Sequence, residues 1–296
     1  MPPVPAPADP VKRVEWAFPG LFVLLWSTGF IGAKLGLPYA EPATFLLVRF
    51  AIVVAILLPV CWLAGAAWPR SPRDAAHMGV AGVMLQAGYL GGVFASIHHG
   101  MPAGVSALIA GVQPVLTAML STRLLGERTN ARQWAGLVLG MAGVALVVRE
   151  KFVFEGVGAL AVALSLLALA SITLGTIYQK RYCTRIDLRT GAVIQFIAAA
   201  AALAPFAWLF ETREVRWSGE FLFALAWLVF VLSLGAIFLL FYLIRHGAAT
   251  RVASLMYLVP PCTALIAWPI FGETYTLYSA AGMALAVIAV WLVTRG

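Results

Sequence analysis

Residues 124–149 read LLGERTNARQWAGLVLGMAGVALVVR, and residues 270–295 read IFGETYTLYSAAGMALAVIAVWLVTR. Each phrase closes an apolar helix, writes Gly-Glu, crosses a short polar loop and enters a second apolar run that ends in one arginine. Placing Glu127 on Glu273 puts Gly136 on Gly282 and Arg149 on Arg295, a shift of 146 residues in a chain of 296. The same shift pairs Lys34 with Lys180, Arg49-Phe50 with Gln195-Phe196, Pro59 with Pro205 and Pro114 with Pro260. Between the third and fourth apolar runs it slips to 147, matching His99-Gly100 with His246-Gly247. One unit is written twice.

The solvent of that unit follows from composition. The chain is 62% hydrophobic and 11% charged, with a mean hydropathy of +0.94, whereas a soluble domain is about 25% charged. A spanning helix needs about 20 mostly apolar residues. Such runs fall at 17–35, 42–65, 76–98, 102–125, 131–149, 156–179, 189–210, 219–245, 249–271 and 276–294. The expected fold is an all-α polytopic membrane protein of ten transmembrane helices. Its divisions are a polar, Pro-rich cytoplasmic tail (1–16), a first five-helix unit (17–149), a linker (150–155) and a second unit (156–296). The tail lacks the apolar stretch and cleavage site of a secretory signal.

Cytoplasmic loops carry the excess of Lys and Arg. With the N-terminus inside, only Lys34, Arg149, Lys151, Arg213 and Arg216 of the 20 basic residues fall outside, and Arg49 falls within a span. The other fourteen lie inside. Both termini are therefore expected in the cytoplasm, in a bacterial-type inner membrane. The net charge of +8 reports orientation, so no nucleic-acid partner is expected. Five spans per unit is an odd number, so span 6 must cross in the direction opposite to span 1. The two units are thus inverted repeats, the usual architecture of secondary transporters.

The segment WSTGFIGAKLGLPYAEPATFLLVRF at 26–50 resembles the opening of the EamA group of the drug/metabolite transporter superfamily. The two Gly-Glu phrases, each glutamate 13 residues after Pro114 or Pro260, resemble the close of each EamA unit. The resemblance runs from about Phe18 to Arg295. It implies a ten-helix bundle whose central cavity is formed mainly by spans 1, 3, 4, 6, 8 and 9, with spans 5 and 10 set aside for packing. More narrowly, overall similarity is to the YddG-type exporters of aromatic and other neutral amino acids.

Within the spans, Arg49 lies about seven residues into span 2, roughly 10 Å at 1.5 Å per residue. No acidic residue shares its helix interior. An intramembrane charge points to function, here reception of a substrate carboxylate; the alternative is a side chain that snorkels to the surface. Its repeat partner is Gln195, so the fold does not require the charge twice. Other candidate cavity residues are Trp26 and Ser27, Gln86 and Tyr89, Gln113, Phe230 and Ser233, and Tyr257. In span 6, Ser165, Thr176 and Gln179 fall within about 60° on a helical wheel. Pro114, Pro260 and Pro261 lie mid-span at matching sites and are expected to kink spans 4 and 9. Paired interruptions point to a transporter's binding region.

Several functions lack their residues. All twelve acidic residues fall in tails, loops or span ends, which favours facilitated movement over a carboxylate proton relay. His98, His99 and His246, near span ends, are the alternative candidates for proton coupling, although interfacial histidines of no mechanistic role are commoner. Glu127 and Glu273 face opposite sides, each against the N-terminal dipole of the next helix or as a gate residue. Cys61, Cys183 and Cys262 form no CxxC pair, so neither a disulfide framework nor a metal is expected. No HExxH or GxSxG is present, and no cofactor or enzymatic activity is expected. Trp16, Trp62, Trp134, Trp217 and Trp291 near span ends suit interfacial anchoring. The expected partners are the lipid bilayer and a small molecule, exported by alternating access from a monomer: a neutral or zwitterionic metabolite, an amino acid first. Cationic drugs, sugar nucleotides and a non-transporting scaffold are the alternatives.

Overall fold

The computed structural model describes residues 18–124, 126, 130–154, 158–246, 252, 255–271 and 276–294. Among these residues the structure is helical, with a single antiparallel bridge between Ala40 and Val215. The tail at 1–16 and both glutamates of the repeated phrase, Glu127 and Glu273, lie outside the described residues.

In chain order the helices are α1 (Phe18–Gly36), α2 (Pro42–Leu63), α3 (Pro72–His98), α4 (Ala103–Ala110 and Gln113–Leu124), α5 (Ala131–Phe154), α6 (Ala159–Tyr182), α7 (Leu188–Phe210), α8 (Gly219–His246), α9 (Leu255–Leu258 and Val259–Phe271) and α10 (Leu277–Thr294). Seven apolar stretches are long enough to cross a membrane: α1, α2, α3, Ala103–Ser121 of α4, α6, α7 and α8. Leu255–Ile270 and Ala280–Val293 are shorter apolar helices. The protein is a polytopic membrane protein. In hydrocarbon every backbone polar group must be satisfied within the chain, which is why these runs are helices.

Helix ends follow local chemistry. Pro42 and Pro72 stand in the first turns of α2 and α3, where a missing N–H costs nothing. The Ser71 and Ser218 hydroxyls accept from the backbone N–H groups of Asp74 and Phe221, each at 3.1 Å. Gly65, at φ +56°, turns the chain out of α2 while Ala66 N–H bonds back to the Cys61 carbonyl, the left-handed stop that glycine adopts without strain. One boundary differs from expectation. Helix α5 continues to Phe154, taking in most of the expected linker at 150–155.

Packing runs between the two halves. Helix α5 makes the most extensive contact with α10, and α2 packs on α7; α1 lies against α8 and α9, and α6 against α3 and α4. The 146-residue shift exchanges the members of each relationship. Phe50 and Phe196, which the shift also exchanges, are fully buried with their ring centroids 5.3 Å apart. Small residues set the approach distances. A Cβ on Gly136 would lie 2.9 Å from the Ala289 carbonyl of α10, and one on Gly82 would lie 2.4 Å from the Gln195 backbone of α7. These are close helix contacts of the kind that replace the hydrophobic effect in a membrane.

Loops sort to two ends. At one, Glu41 accepts from the Thr212 N–H and hydroxyl, each at 2.6 Å. Glu211 reciprocates, accepting from Ala43 N–H, Thr44 N–H and the Thr44 hydroxyl, each at 2.7 Å. Tyr39 donates to Glu220, and Arg216 donates to the Pro38 carbonyl. At the opposite end, Thr190 donates to the Ala67 carbonyl, Lys180 to Ile244 and Arg245 to Ile186. Helix α1 thus runs toward the Glu41 end and α6 away from it.

Candidate functional site

Arg49 is the largest fully enclosed side chain, 2% exposed in the middle of an apolar bundle. Helix α2 carries it inward between α1, α3 and α8. Its Nε donates to the Ser233 hydroxyl on α8 at 2.9 Å. No described carboxylate contacts it, and its remaining guanidinium nitrogens border a small cavity. That cavity, about 30 Å³, is lined by Trp26, Gly29, Phe30, Arg49, Tyr89, Leu90, Val93, Phe94 and Leu232. It has room for about one water and none for a metabolite. Trp26 Nε1 donates to the Tyr89 hydroxyl at 3.2 Å, with the rings near-parallel at 12° and 6.0 Å. An unpaired charge with open N–H donors beside aromatic faces can take a carboxylate attached to an apolar or aromatic body.

A second polar group surrounds α6. Gln113 Nε2 donates to the Thr176 hydroxyl at 3.1 Å, and Gln195 Nε2 to Gln179 Oε1 at 2.7 Å. All four side chains are buried. Gln86, also buried, has no partner for its Oε1, and the same is true of the Ser165 hydroxyl. A polar stripe inside an apolar helix faces protein or a cavity, as these residues do.

The structure therefore brings Trp26, Arg49, Tyr89 and Ser233 together, and gathers Gln113, Thr176, Gln179 and Gln86 around α6. It separates others. Phe230 is 58% exposed and points away from the bundle, a correction to its expected place in the cavity. Tyr257 is buried, but its hydroxyl donates to the Leu137 carbonyl and its ring covers Gly140; it joins α9 to α5 away from Arg49. Ser27 bonds the Val23 and Val259 carbonyls and so ties α1 to α9. Ser165 lies more than two turns of α6 before Thr176 and makes no contact with the Arg49 pocket.

The prolines act differently from simple kinks. Helix α4 stops at Ala110 and restarts at Gln113, with Pro114 second in the new segment. Helix α9 changes from a tight 3₁₀ turn to an α-helix at Val259, again with proline, Pro260, second and Pro261 third. Both are restarts, where proline's lost N–H was unpaired in any case.

Sequence reasoning missed two π-helical stretches, Val83–Gly88 in α3 and Leu228–Ala236 in α8. They occupy matching places in the two halves, and each carries one polar residue of the site, Gln86 or Ser233. A π-turn takes in an extra residue, and hydropathy carries no mark of it.

A family model for the EamA-like transporter family matches residues 19–149 and, again, residues 159–295. The chain belongs to this family. Among its EamA-like relatives, "Uncharacterized transporter YvbV" of Bacillus subtilis is 28% identical over 277 residues, 92% of this chain and 88% of that one. "Uncharacterized inner membrane transporter YedA" of Escherichia coli K12 is 26% identical over 281 residues, 94% and 90% of the two chains. A "Probable amino-acid metabolite efflux pump" of Salmonella typhimurium is 24% identical over 283 residues, 92% of each. An EamA-like chain is a transporter.

Proposed function

We propose that this protein exports small neutral or zwitterionic metabolites, amino acids including aromatic ones first, across a bacterial-type inner membrane by alternating access. The observation that carries this is Arg49: a buried guanidinium with no carboxylate partner among the described residues, beside Trp26 and Tyr89. Such a group is a standing cost unless it receives an anion, and the aromatic lining suits the apolar remainder of an amino acid. A polyanion would call for several bases and a cationic drug for a carboxylate; the pocket offers one base and no acid. The "Probable amino-acid metabolite efflux pump" among the relatives supports a substrate of this class.

Ten spans in two inverted five-helix repeats are the architecture of this proposal. Support comes from the two family matches, from the opposite courses of α1 and α6, and from helix pairs that the repeat shift exchanges. Both termini are cytoplasmic in this reading. Arg70, Arg73, Lys180, Arg181, Arg185, Arg189 and Arg245 gather at the Lys180 end, whereas Glu41, Glu211, Glu214 and Glu220 stand at the other. The basic end is inside by the positive-inside rule, and the Glu41 network is the outer closure. Movement is down a gradient, since the described carboxylates lie in loops and at helix ends.

The test is purified protein in liposomes, offered radiolabelled amino acids, cationic drugs and sugar nucleotides in separate assays. Saturable amino-acid flux is expected. Flux of drugs or sugar nucleotides with none of amino acids overturns the substrate class.

A further inference from the structure

Three buried oxygens around one turn of α6 have no hydrogen-bond donor. Thr176 donates its hydroxyl proton to the Ile172 carbonyl at 2.7 Å, so its oxygen can only accept. That fixes the amide of Gln113 with Nε2 toward Thr176 and leaves its Oε1 bare. Gln195 donates from Nε2 to Gln179, and its own Oε1 is bare as well. Gln86 Oε1 is the third. Each of these side chains is 2% exposed or less. They share a level: a Cβ on Gly175 would meet Met84 and Leu85, immediately before Gln86, and a Cβ on Gly82, one turn earlier, would meet the Gln195 backbone. Buried polar atoms are almost always paired; here three amide oxygens, with the Thr117 hydroxyl one turn from Gln113, are left without a partner in the protein.

We propose that these three amide oxygens receive the primary ammonium group of the substrate, forming an acceptor pole opposite the donor pole at Arg49. The placement is internal to one path. Leu90, one turn beyond Gln86 on α3, already lines the Arg49 pocket. The repeat gives the two poles a common origin, since Arg49 and Ser233 correspond to Gln195 and Gln86. The same corner of the unit bears a cation with its hydroxyl in one half and two amides in the other. A ligand must then present N–H donors to one pole and an acceptor to the other, as the ammonium and carboxylate on the α-carbon of a zwitterionic amino acid do. Charge alone does not satisfy the pole, because bare carbonyl oxygens need protons to accept.

This inference rests on the amino-acid reading, and the experiment separates the two. In liposomes, phenylalanine flux is measured against three competitors: phenethylamine, its N-trimethylated form and phenylpropionate. Phenethylamine should compete about tenfold or more better than the trimethylated cation, which keeps the charge and lacks N–H groups. Gln113→Leu should weaken phenethylamine by about tenfold or more and leave phenylpropionate unchanged, whereas Gln113→Glu should strengthen phenethylamine. The empty Gln86→Leu protein should melt no lower than wild type, because it removes an unpaired buried oxygen. Equal competition by the two cations, or equal effects of Gln113→Leu on amine and acid, overturns the pole. If wild type carries no phenylalanine, the transport reading fails by itself. Thermal shift of the purified full chain with phenethylamine, in wild type and both Gln113 variants, then decides the pole alone: an unaltered shift across the three overturns it.

Discussion

The guanidinium of Arg49 is held by one hydrogen bond at Nε and is otherwise open to a water-sized cavity. Because a bidentate fork is what a carboxylate needs, lysine is not an equivalent. Arg49→Gln should leave the protein folded, since Gln195 occupies the corresponding place in the other half, and should reduce amino-acid flux by about tenfold or more, the worth of a charge-assisted bond. Arg49→Lys should recover only part of it. Liposome flux with a parallel melting curve checks both, and near-normal flux in Arg49→Gln removes Arg49 from the site. At this scale the sequence was informative about chemistry and poor about direction. Arg49 and Ser233 were visible as polar residues in apolar runs, but their mutual bond was not. Phe230 was named for its residue type, beside Ser233. Both lie in a π-helical stretch, where each turn holds an extra residue, so residues three apart do not share a face as they would in an α-helix.

Among the elements, α3 approaches the backbone of α7 at Gly82, where a Cβ would lie 2.4 Å from Gln195. Gly82→Ala sets a Cβ against backbone that has no rotamer to yield, and the expected cost is about 1–3 kcal/mol, read as a lowered melting temperature in detergent. The loop network is the other element-scale device. The Thr212 hydroxyl and N–H hold the Glu41 carboxyl below its ordinary value of 4.5. A carboxylate with a lowered folded pKa contributes stability that is full above its ordinary value and lost as pH falls through the folded one. Closure at this end should therefore be independent of pH near neutrality and weaken below about pH 4.5. Thr212→Val should remove that part of the acid dependence. Accessibility of a cysteine placed at Val215 to a membrane-impermeant maleimide, followed against pH, measures it; an acid dependence equal in Thr212→Val contradicts the assignment. Helix boundaries were legible because apolar runs and proline or serine starts mark them. The π-turns and the restarts at Gln113 and Val259 were not, since hydropathy does not register which carbonyl an N–H chooses.

For the whole molecule, the repeated phrase at 124–149 and 270–295 settled more than its own residues did. Its two glutamates lie outside the described residues, yet the shift that it defines relates the helix pairs found in contact, and Phe50 and Phe196, which it aligns, meet in the structure. What the shift cannot supply is the difference between halves, Arg49 against Gln195, and the proposed recognition of substrate rests on that difference. Orientation belongs to this scale. A C-terminal fusion to a reporter active only in the cytoplasm should be active, and activity only of an exported reporter contradicts cytoplasmic termini. The central claim, amino-acid movement through the Arg49 pocket, is met most directly by counterflow of radiolabelled phenylalanine into liposomes holding wild-type or Arg49→Gln protein. The account predicts saturable uptake by wild type and about a tenfold or greater loss in the variant; no uptake by wild type, or equal uptake by both, contradicts it.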